Sequence, residues 1–271
     1  MAKTRLDLLL MNKGYGLSRE KIQAMILAGE VWADGKLADK PGAAVQTEAR
    51  IEIISKKPRY VSRGGLKLEK AIEVFGLDFN GRTVLDVGAS TGGYTDCALQ
   101  HGATKVYALD VGYGQLDWAL RNDGRVVVYE KTNIRYVRAD MFKDSFDIIT
   151  IDVSFISVQK VFLVLPDLLK NEGQVVCLIK PQFEVGKGQV GKKGVVRSLE
   201  LHGQAVQDAI VAAYRQGLYC KAMTFSPLKG PQGNIEFFIL MNKTYNKKMD
   251  LQNDIMPVVI QAHQELGETN S

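Results

Sequence analysis

The apolar residues near the N-terminus recur at helical spacing. Leu6, Leu9 and Leu10 lie three and four residues apart and form one apolar face. Thr4 is followed three residues later by a carboxylate, which is typical of an N-terminal cap, and Gly14 predicts the end of the helix. The pattern therefore predicts a short amphipathic helix.

A second helix, a hairpin and a strand are predicted over the next 40 residues. Ser18 predicts the N-cap of the helix and Gly29 its end, and the inner face consists of Ile22, Met25 and Ile26. Asp34-Gly35 is the dipeptide that favours a two-residue type I′ hairpin. Alternation over residues 50–54 predicts a closing strand. Together these elements predict a small α+β module.

From about residue 80, short apolar runs alternate with longer helical patterns. The predicted strands cover residues 83–87, 105–109, 125–129, 146–153, 174–179, 218–225 and 235–241, and the main helices end near residue 100 or cover 158–170 and 199–216. This order predicts an α/β, doubly wound, Rossmann-like fold with a mostly parallel seven-stranded sheet. Because no helix separates the last two strands, we expect them to form an antiparallel hairpin at the edge.

Charge distinguishes the two parts of the chain. The 271 residues are 46% hydrophobic and 24% charged, as in ordinary globular proteins. Residues 1–60 contain eleven basic and seven acidic side chains, so +4 of the net charge of +5 lies there. A small basic module before a nearly neutral body favours a polyanion as partner. We predict domains at 1–58 and 59–245, with a tail at 246–271.

The same survey disfavours several classes of protein. The longest stretch without a charge is ten residues, 255–264, whereas a membrane span needs about twenty. Charged residues interrupt the N-terminus, so no signal peptide is predicted. Cys97, Cys177 and Cys220 form no CxxC pair and the three histidines are scattered, so we predict a cytoplasmic setting without a metal site.

A glycine-rich loop lies between the first strand of the predicted sheet and its helix, with the sequence Asp86-Val87-Gly88-Ala89-Ser90-Thr91-Gly92-Gly93. Its spacing differs from the GxGxxG motif that cradles a dinucleotide phosphate, which disfavours a nicotinamide dehydrogenase. Its acidic start favours a cationic ligand, and a carboxylate at the end of the next strand can accept both hydroxyls of a ribose. S-adenosylmethionine fits this combination. The predicted cofactor-binding residues are Asp86, Gly88, Ala89, Ser90, Gly92, Gly93 and Asp110, with Asp140 as a candidate contact for adenine.

Four further charged residues lie where the predicted elements meet this site. Asp152 lies at the carboxyl end of the fourth predicted strand, and Lys180 follows the fully apolar fifth strand. A lysine in that position is poorly explained by solubility, because burial disfavours its charge. Glu236 is predicted inside the last strand and Lys67 on a helix before the first. Taken singly, each carboxylate also fits an edge ion pair, and Lys67 fits a solvated helix face.

The N-terminal module resembles the S4 RNA-binding domain. The resemblance rests on Arg5-Leu6-Asp7 with Leu9-Leu10, on Ser18-Arg19, and on Ala28-Gly29-Glu30-Val31 with Gly35. It implies recognition of structured RNA through shape and backbone. Cations in the first turn of a helix are unfavourable because they oppose the helix macrodipole. Contact with RNA phosphates would explain why basic residues lie there, and the alternative explanation is ordinary solvated surface charge. The predicted RNA contacts in this module are Arg5, Arg19, Lys21 and Lys36.

Five motifs link the charged residues of the second domain. They are Gly64-Gly65-Leu66-Lys67-Leu68, the glycine-rich loop, Ile151-Asp152-Val153-Ser154-Phe155, Lys180-Pro181-Gln182-Phe183-Glu184 and Gly233-Asn234-Ile235-Glu236-Phe237. With them, residues 60–243 resemble the FtsJ/RrmJ-type ribose 2′-O-methyltransferases, whose active site is a Lys-Asp-Lys-Glu tetrad. The resemblance assigns the tetrad to Lys67, Asp152, Lys180 and Glu236. With the S4 module, the whole chain resembles the TlyA family, which methylates ribosomal RNA and is often named hemolysin.

The resemblance implies methyl transfer from S-adenosylmethionine to a ribose 2′-hydroxyl, with Lys180 as the central group. Neighbouring carboxylates favour a charged lysine, which cannot accept a proton, whereas burial and the charge of the cofactor act in the opposite direction. Lys180 is therefore either the base or an electrostatic anchor. The segment 182–195 is predicted to clamp RNA, unless it is a solvated connector. Further predicted RNA contacts are Arg63, Lys187, Lys192 and Lys193.

Two other functions stay open at this level. A non-catalytic RNA-binding or ribosome-assembly protein would keep the fold as a scaffold, and a membrane-lytic hemolysin would act on lipid. The sequence leaves open the target nucleotide, the ribosomal subunit, the oligomeric state and the role of the tail.

Overall fold

The computed structural model describes residues 3–14, 18–27, 29–53, 58–191, 194–230, 232–245 and 249–267. The chain divides into two compact units, Met1–Arg59 and Tyr60–Ser271. Residues 54–57 of the predicted connector and residues 246–248 and 268–271 of the predicted tail lie outside the described part of the chain. None of the helices in the described ranges is both long enough and apolar enough to cross a bilayer.

The first unit packs two helices against short strands. Its elements are β1 (Lys3–Arg5), α1 (Leu6–Asn12), α2 (Arg19–Leu27), β2 (Val31–Ala33), β3 (Lys36–Leu37), β4 (Ala44–Gln46) and β5 (Ile51–Ile53). Strand β2 pairs antiparallel with β3 and β5, and β1 pairs with β4. The helices bury Leu6, Leu10, Ile22 and Ile26 against Val31.

Two local predictions for this unit are confirmed. The Oγ of Ser18 accepts a hydrogen bond from the backbone N–H of Lys21 at 3.3 Å, as expected of an N-cap. Asp34 and Gly35 have φ angles of 50° and 74°, the left-handed values that a type I′ hairpin requires at both positions.

The predicted role of Thr4 as a helix cap is wrong. Thr4 lies in β1 and pairs with Val45, and α1 begins after Arg5 without a side-chain cap. The carboxylate of Asp7 is fully buried and accepts hydrogen bonds from Arg5 at 3.0 Å and Arg19 at 3.2 Å. These donors hold the pKa of Asp7 well below its usual range against the opposing effect of burial. The structure thus gives both arginines an intramolecular partner.

The second unit is a doubly wound α/β fold. Its strands are β6 (Thr83–Val87), β7 (Lys105–Leu109), β8 (Val126–Tyr129), β9 (Phe146–Ile151), β10 (Leu169–Ile179), β11 (Tyr219–Phe225) and β12 (Phe237–Asn242). Its helices are α3 (Gly64–Phe75), α4 (Gly93–Gln100), α5 (Trp118–Arg121), α6 (Gln159–Phe162), α7 (Leu165–Leu168), α8 (Pro181–Glu184), α9 (Leu199–Arg215) and α10 (Met256–Leu266).

Within the described ranges, seven strands form one sheet in the order β11-β12-β10-β9-β6-β7-β8. Strand β12 pairs antiparallel with both β10 and β11, and the other pairs are parallel. The predicted mostly parallel sheet with an antiparallel edge hairpin is confirmed. The parallel strands direct their carboxyl ends to one edge, where α/β proteins bind ligands.

Several element boundaries differ from the prediction; strand β10, for example, begins at Leu169 and not at residue 174. The helix predicted over residues 158–170 divides into α6 and α7, and Pro166 lies in the first turn of α7. Because proline lacks an N–H and clashes with the preceding turn, it favours a new helix start over a continuous helix. Glu236 lies directly before β12 and not inside it. Its side chain is therefore at the edge of the sheet, where ligands bind.

Candidate active site

The glycine-rich loop, Asp152 and Lys180 meet because β6, β9 and β10 are neighbours in the sheet. Asp152 follows β9 and Lys180 follows β10, so both emerge at the carboxyl edge. The loop after β6 passes so close to β9 that a Cβ on Gly88 would lie 2.4 Å from the carbonyl oxygen of Asp152. Gly88 also has a φ angle of 88°, so the close approach and the backbone conformation both require glycine.

Two lysine–carboxylate pairs lie at this edge. The Nζ of Lys180 is 2.5 Å from Oδ1 of Asp152, and the Nζ of Lys67 donates to Oε2 of Glu236 at 2.6 Å. The four side chains are only 1% to 18% exposed. Because buried charges are costly without partners, each pair stabilises the charges that the site contains.

Glu236 is the most deeply buried of the four. Burial raises the pKa of Glu236, and the neighbouring Lys67 acts against that rise. One carboxylate oxygen accepts from Lys67, whereas Oε1 has no hydrogen-bond partner within the described ranges. The site therefore contains a buried acceptor that is free to bind a ligand or water.

A cavity of about 330 Å³ brings these groups together, and all four residues of the predicted tetrad line it. Three more cavity residues, Tyr94, Ser154 and Lys229, were not predicted from the sequence. Burial raises the pKa of Tyr94 well above its usual value, and its hydroxyl has no hydrogen-bond partner in the part of the chain that the structure describes. Ser154 could have been inferred from its place two residues after Asp152, whereas nothing in the local pattern indicates Tyr94 or Lys229.

A second cavity of about 470 Å³ adjoins the first, and Gly88, Ser90, Asp152 and Ser154 line both. Asp110 lines the second cavity and accepts backbone N–H groups from Ser90 at 2.9 Å and Gly112 at 2.7 Å. The apolar walls of this second cavity include Leu109, Val111, Ile134 and Phe155. The volume lies in the range of small-molecule sites.

The second cavity fits S-adenosylmethionine. A fixed carboxylate on Asp110 can accept ribose hydroxyls, since each oxygen keeps a free lone pair beside its backbone bond. The apolar walls suit a planar base, and Asp152 supplies negative charge for a cationic group where the two cavities meet.

The predicted cofactor residues divide into those that line a cavity and those that do not. Gly88, Ala89, Ser90, Gly93 and Asp110 are lining residues.

Three predicted cofactor residues lie elsewhere. Asp86 is buried under the loop and accepts from Thr95 at 2.7 Å, and burial raises its pKa to about 7. Gly92 is the N-cap residue of α4, where a Cβ would lie 2.3 Å from Leu120. Asp140 pairs with Arg138 on the surface and is absent from the lining of both cavities. Asp86 and Gly92 therefore support the loop from behind, and the structure does not bring Asp140 to the site.

The predicted RNA contacts are also distributed. Arg63 lines the smaller cavity, whereas Lys21 and Lys36 are exposed in the first unit. The backbone of Lys187 begins a 3₁₀ turn over Lys187–Gln189. Lys192 and Lys193 lie outside the described residues.

An aromatic pair borders the larger cavity. Phe155 is 91% exposed and has a φ angle of 64°, a strained conformation for an aromatic residue. Its ring lies 5.2 Å from that of Phe183. The two rings line a surface groove together with Arg135 and Lys160. Accessible rings beside cations suit the stacking of unpaired bases.

Two of the scattered histidines meet in the fold. The rings of His202 and His263 are linked by a 2.8 Å contact between Nδ1 and Nε2. Burial lowers the pKa of His202 to about 4 and also lowers that of His263. Across the described residues, no group of three or more His, Cys, Asp or Glu side chains is arranged to hold a metal.

Two family models match the chain. The FtsJ-like methyltransferase model matches residues 60–243, and the S4 domain model matches residues 4–51. These spans cover the two units of the fold and include every residue of the lysine–carboxylate pairs.

Relatives of similar length carry two kinds of name. The chain is 42% identical to the 16S/23S rRNA (cytidine-2′-O)-methyltransferase TlyA of Mycobacterium tuberculosis, covering 88% of this chain and 89% of that protein. It is 44% identical to Hemolysin A of Brachyspira hyodysenteriae, covering 86% and 97%.

Solved structures agree with this picture. A candidate hemolysin from Streptococcus thermophilus matches with a TM-score of 0.76 and 42% identity over 98% of this chain and 97% of that one. A candidate S-adenosylmethionine-dependent methyltransferase from Listeria monocytogenes, 17% identical with a TM-score of 0.51, covers 68% of this chain and 100% of its own and shares the fold.

Proposed function

The chain belongs to the TlyA family of FtsJ-like methyltransferases with an S4 domain, and on that premise we propose that it methylates ribose 2′-hydroxyls of ribosomal RNA. The observation that carries the proposal is the convergence of Lys67, Asp152, Lys180 and Glu236 in one cavity. That cavity adjoins a second one suited to a methyl donor. S-adenosylmethionine, when bound, supplies an electrophilic methyl group on its sulfonium.

The chain's own residues prepare the hydroxyl. A ribose hydroxyl is a poor nucleophile and must lose its proton as its oxygen bonds to carbon. Lys180 lines the smaller cavity and contacts Asp152 and Ser154, which line both, so it can orient the hydroxyl and either accept its proton or stabilise the developing charge. Asp152 and Ser154 hold Lys180, and the Lys67–Glu236 pair lines the same cavity. Holding the reacting groups in place contributes several kcal/mol of barrier reduction.

The S4 domain and the exposed groups of the methyltransferase domain provide the RNA contacts in this proposal. Arg63 lies at the catalytic cavity, and Lys21 and Lys36 are exposed on the S4 unit. Cations of this kind bind the phosphate backbone. Ribosomal RNA as substrate also implies a cytoplasmic location.

The direct test is methyl transfer by the purified protein to ribosomal subunits, with isotope-labelled S-adenosylmethionine. We expect label in ribosomal RNA, at a position that mass spectrometry of nuclease fragments assigns to a ribose 2′-oxygen. Binding of RNA without transfer of label would support the non-catalytic scaffold, and label on a base would refute the proposed acceptor. Leakage of dye from loaded liposomes would instead indicate a membrane-lytic activity.

We predict that Phe155→Ala weakens the use of RNA more than that of the methyl donor, because the wall of the larger cavity keeps Leu109, Val111 and Ile134. Loss of a base-stacking ring costs about 1–3 kcal/mol, so kcat/KM for RNA should fall about 5- to 150-fold. Steady-state kinetics with each substrate varied in turn provides the measurement.

A matched control for this prediction is Tyr245→Ala. Tyr245 is 73% exposed and stacks on Tyr219 at 5.2 Å, but it follows antiparallel β12 and so lies at the amino edge of the sheet. Equal losses in both variants would contradict a specific role for Phe155.

A further inference from the structure

Lys180 has two partners within reach, and only one of them is a member of the predicted tetrad. Its Nζ is 2.5 Å from Oδ1 of Asp152 and donates to the Oγ of Ser154 at 2.9 Å. Ser154 lies two residues after Asp152 and lines both cavities. The hydroxyl is therefore at the junction where the acceptor oxygen and the methyl donor would meet.

Two partners fix the amine better than one. A lysine side chain has four rotatable carbon–carbon bonds, and one ion pair leaves its nitrogen free to swing about that contact. An ammonium group has three N–H donors. Ser154 accepts one of them and Asp152 pairs with the amine through its charge, so Nζ keeps N–H groups for a ligand in the cavity.

A hydroxyl also suits both protonation states of the amine. Asp152 binds the ammonium form better than the neutral amine, because its attraction to Lys180 is mainly that between opposite charges. The hydroxyl of Ser154 accepts from an ammonium and can rotate to donate to a neutral amine. The hydroxyl of Ser154 can thus keep the nitrogen in place while Lys180 changes its charge. The negative charge of Asp152 alone opposes that change.

We infer that Ser154 is a positioning residue that holds the amine of Lys180 against the target hydroxyl during methyl transfer. The inference rests on the proposed function. It assigns a role to a hydroxyl beyond the lysines and carboxylates of the tetrad.

The test compares Ser154→Ala with Ser154→Thr in the full-length protein. For Ser154→Ala we expect kcat to fall roughly 10- to 100-fold, the size expected when a reacting group is misplaced, with KM for both substrates within about twofold. Ser154→Thr keeps the hydroxyl, so it should recover at least half of the decrease in log kcat that Ser154→Ala shows. The pH profile of kcat should also change in Ser154→Ala and return toward wild type in Ser154→Thr, because residue 154 contacts Lys180 through its hydroxyl.

Thr104→Ala serves as the control. Its hydroxyl makes one surface hydrogen bond to Arg82, next to the amino end of β7 and opposite to the active-site edge. Circular dichroism melting of every variant verifies the fold.

The inference is overturned if Ser154→Ala keeps its kcat, if its defect is in KM alone, or if Ser154→Thr is as slow as Ser154→Ala. A wild-type protein that transfers no methyl group to ribosomal RNA would instead refute the proposed function. The two failures are therefore distinguishable.

Discussion

Replacing Lys180 by alanine is expected to lower the rate of methyl transfer about 10²- to 10⁴-fold, the range in which a positioned acid–base group contributes. The side chain lines the smaller cavity, with Asp152 at 2.5 Å and Ser154 at 2.9 Å. Binding of S-adenosylmethionine should change little, because Asp110 and the apolar wall of the larger cavity remain. Single-turnover transfer and calorimetric titration of the donor measure the two effects.

Lys170→Ala is a control on the same strand. Lys170 lies at the amino end of β10 and pairs with Asp147 at 2.9 Å on the surface, so we expect it to transfer methyl groups normally. Retained turnover in Lys180→Ala would contradict the assignment.

Lys180→Arg separates the two roles that the sequence left open for this lysine. Arginine keeps the positive charge but does not give up its proton at ordinary pH. A base is therefore lost in this variant, whereas an electrostatic anchor is partly kept. Residual transfer well above that of Lys180→Ala would support the anchor, with water taking the proton.

The second large effect is expected for Gly88→Ala. A Cβ at this position would lie 2.4 Å from the carbonyl oxygen of Asp152, and the φ angle of 88° is unfavourable for alanine. The backbone strain costs about 1–3 kcal/mol, and relief of the clash moves the loop away from β9. We expect loss of donor binding and of methyl transfer together, because Gly88 lines both cavities.

Gly81→Ala isolates the strain from the clash. Gly81 has a φ angle of 72° and precedes the amino end of β6, and an added Cβ would meet no described atom within 4 Å. We expect lower thermal stability but normal donor affinity in this control, as measured by melting temperature and titration. Equal donor affinity in both variants would show that the close approach of Gly88 to Asp152 does not matter for binding.

Much of the sheet was predictable because its strands are buried on both faces. Runs such as residues 83–87 and 105–109 need no partner to be recognised, and their observed bounds agree with the predicted ones.

Thr4 shows the limit of prediction from local patterns. Its strand β1 exists only through pairing with β4, some forty residues later, and a local cap pattern contains no information about that partner.

The candidate site divides in the same way. The motifs and their order supplied Lys67, Asp152, Lys180 and Glu236 through resemblance, and Asp110 through its place at a strand end. The pattern also suggested Asp140, but a carboxylate beside Arg138 on the surface is explained by that ion pair. Tyr94 and Lys229 were identified only from the lining of the cavity, whereas the position of Ser154 two residues after Asp152 was a signal in the sequence.

By itself, the sequence determined the alternation of strands and helices, the glycine-rich loop and the charged residues that end the strands, because these depend on neighbours along the chain. Only the tertiary structure decided which charges meet. Lys67 and Glu236 are 169 residues apart, yet the packing of α3 beside the sheet places them 2.6 Å apart. Lys180 acquires Asp152 and Ser154 because parallel β9 and β10 end at one edge. Strand order fixes such pairings, and strand order arises from long-range packing that no local pattern encodes.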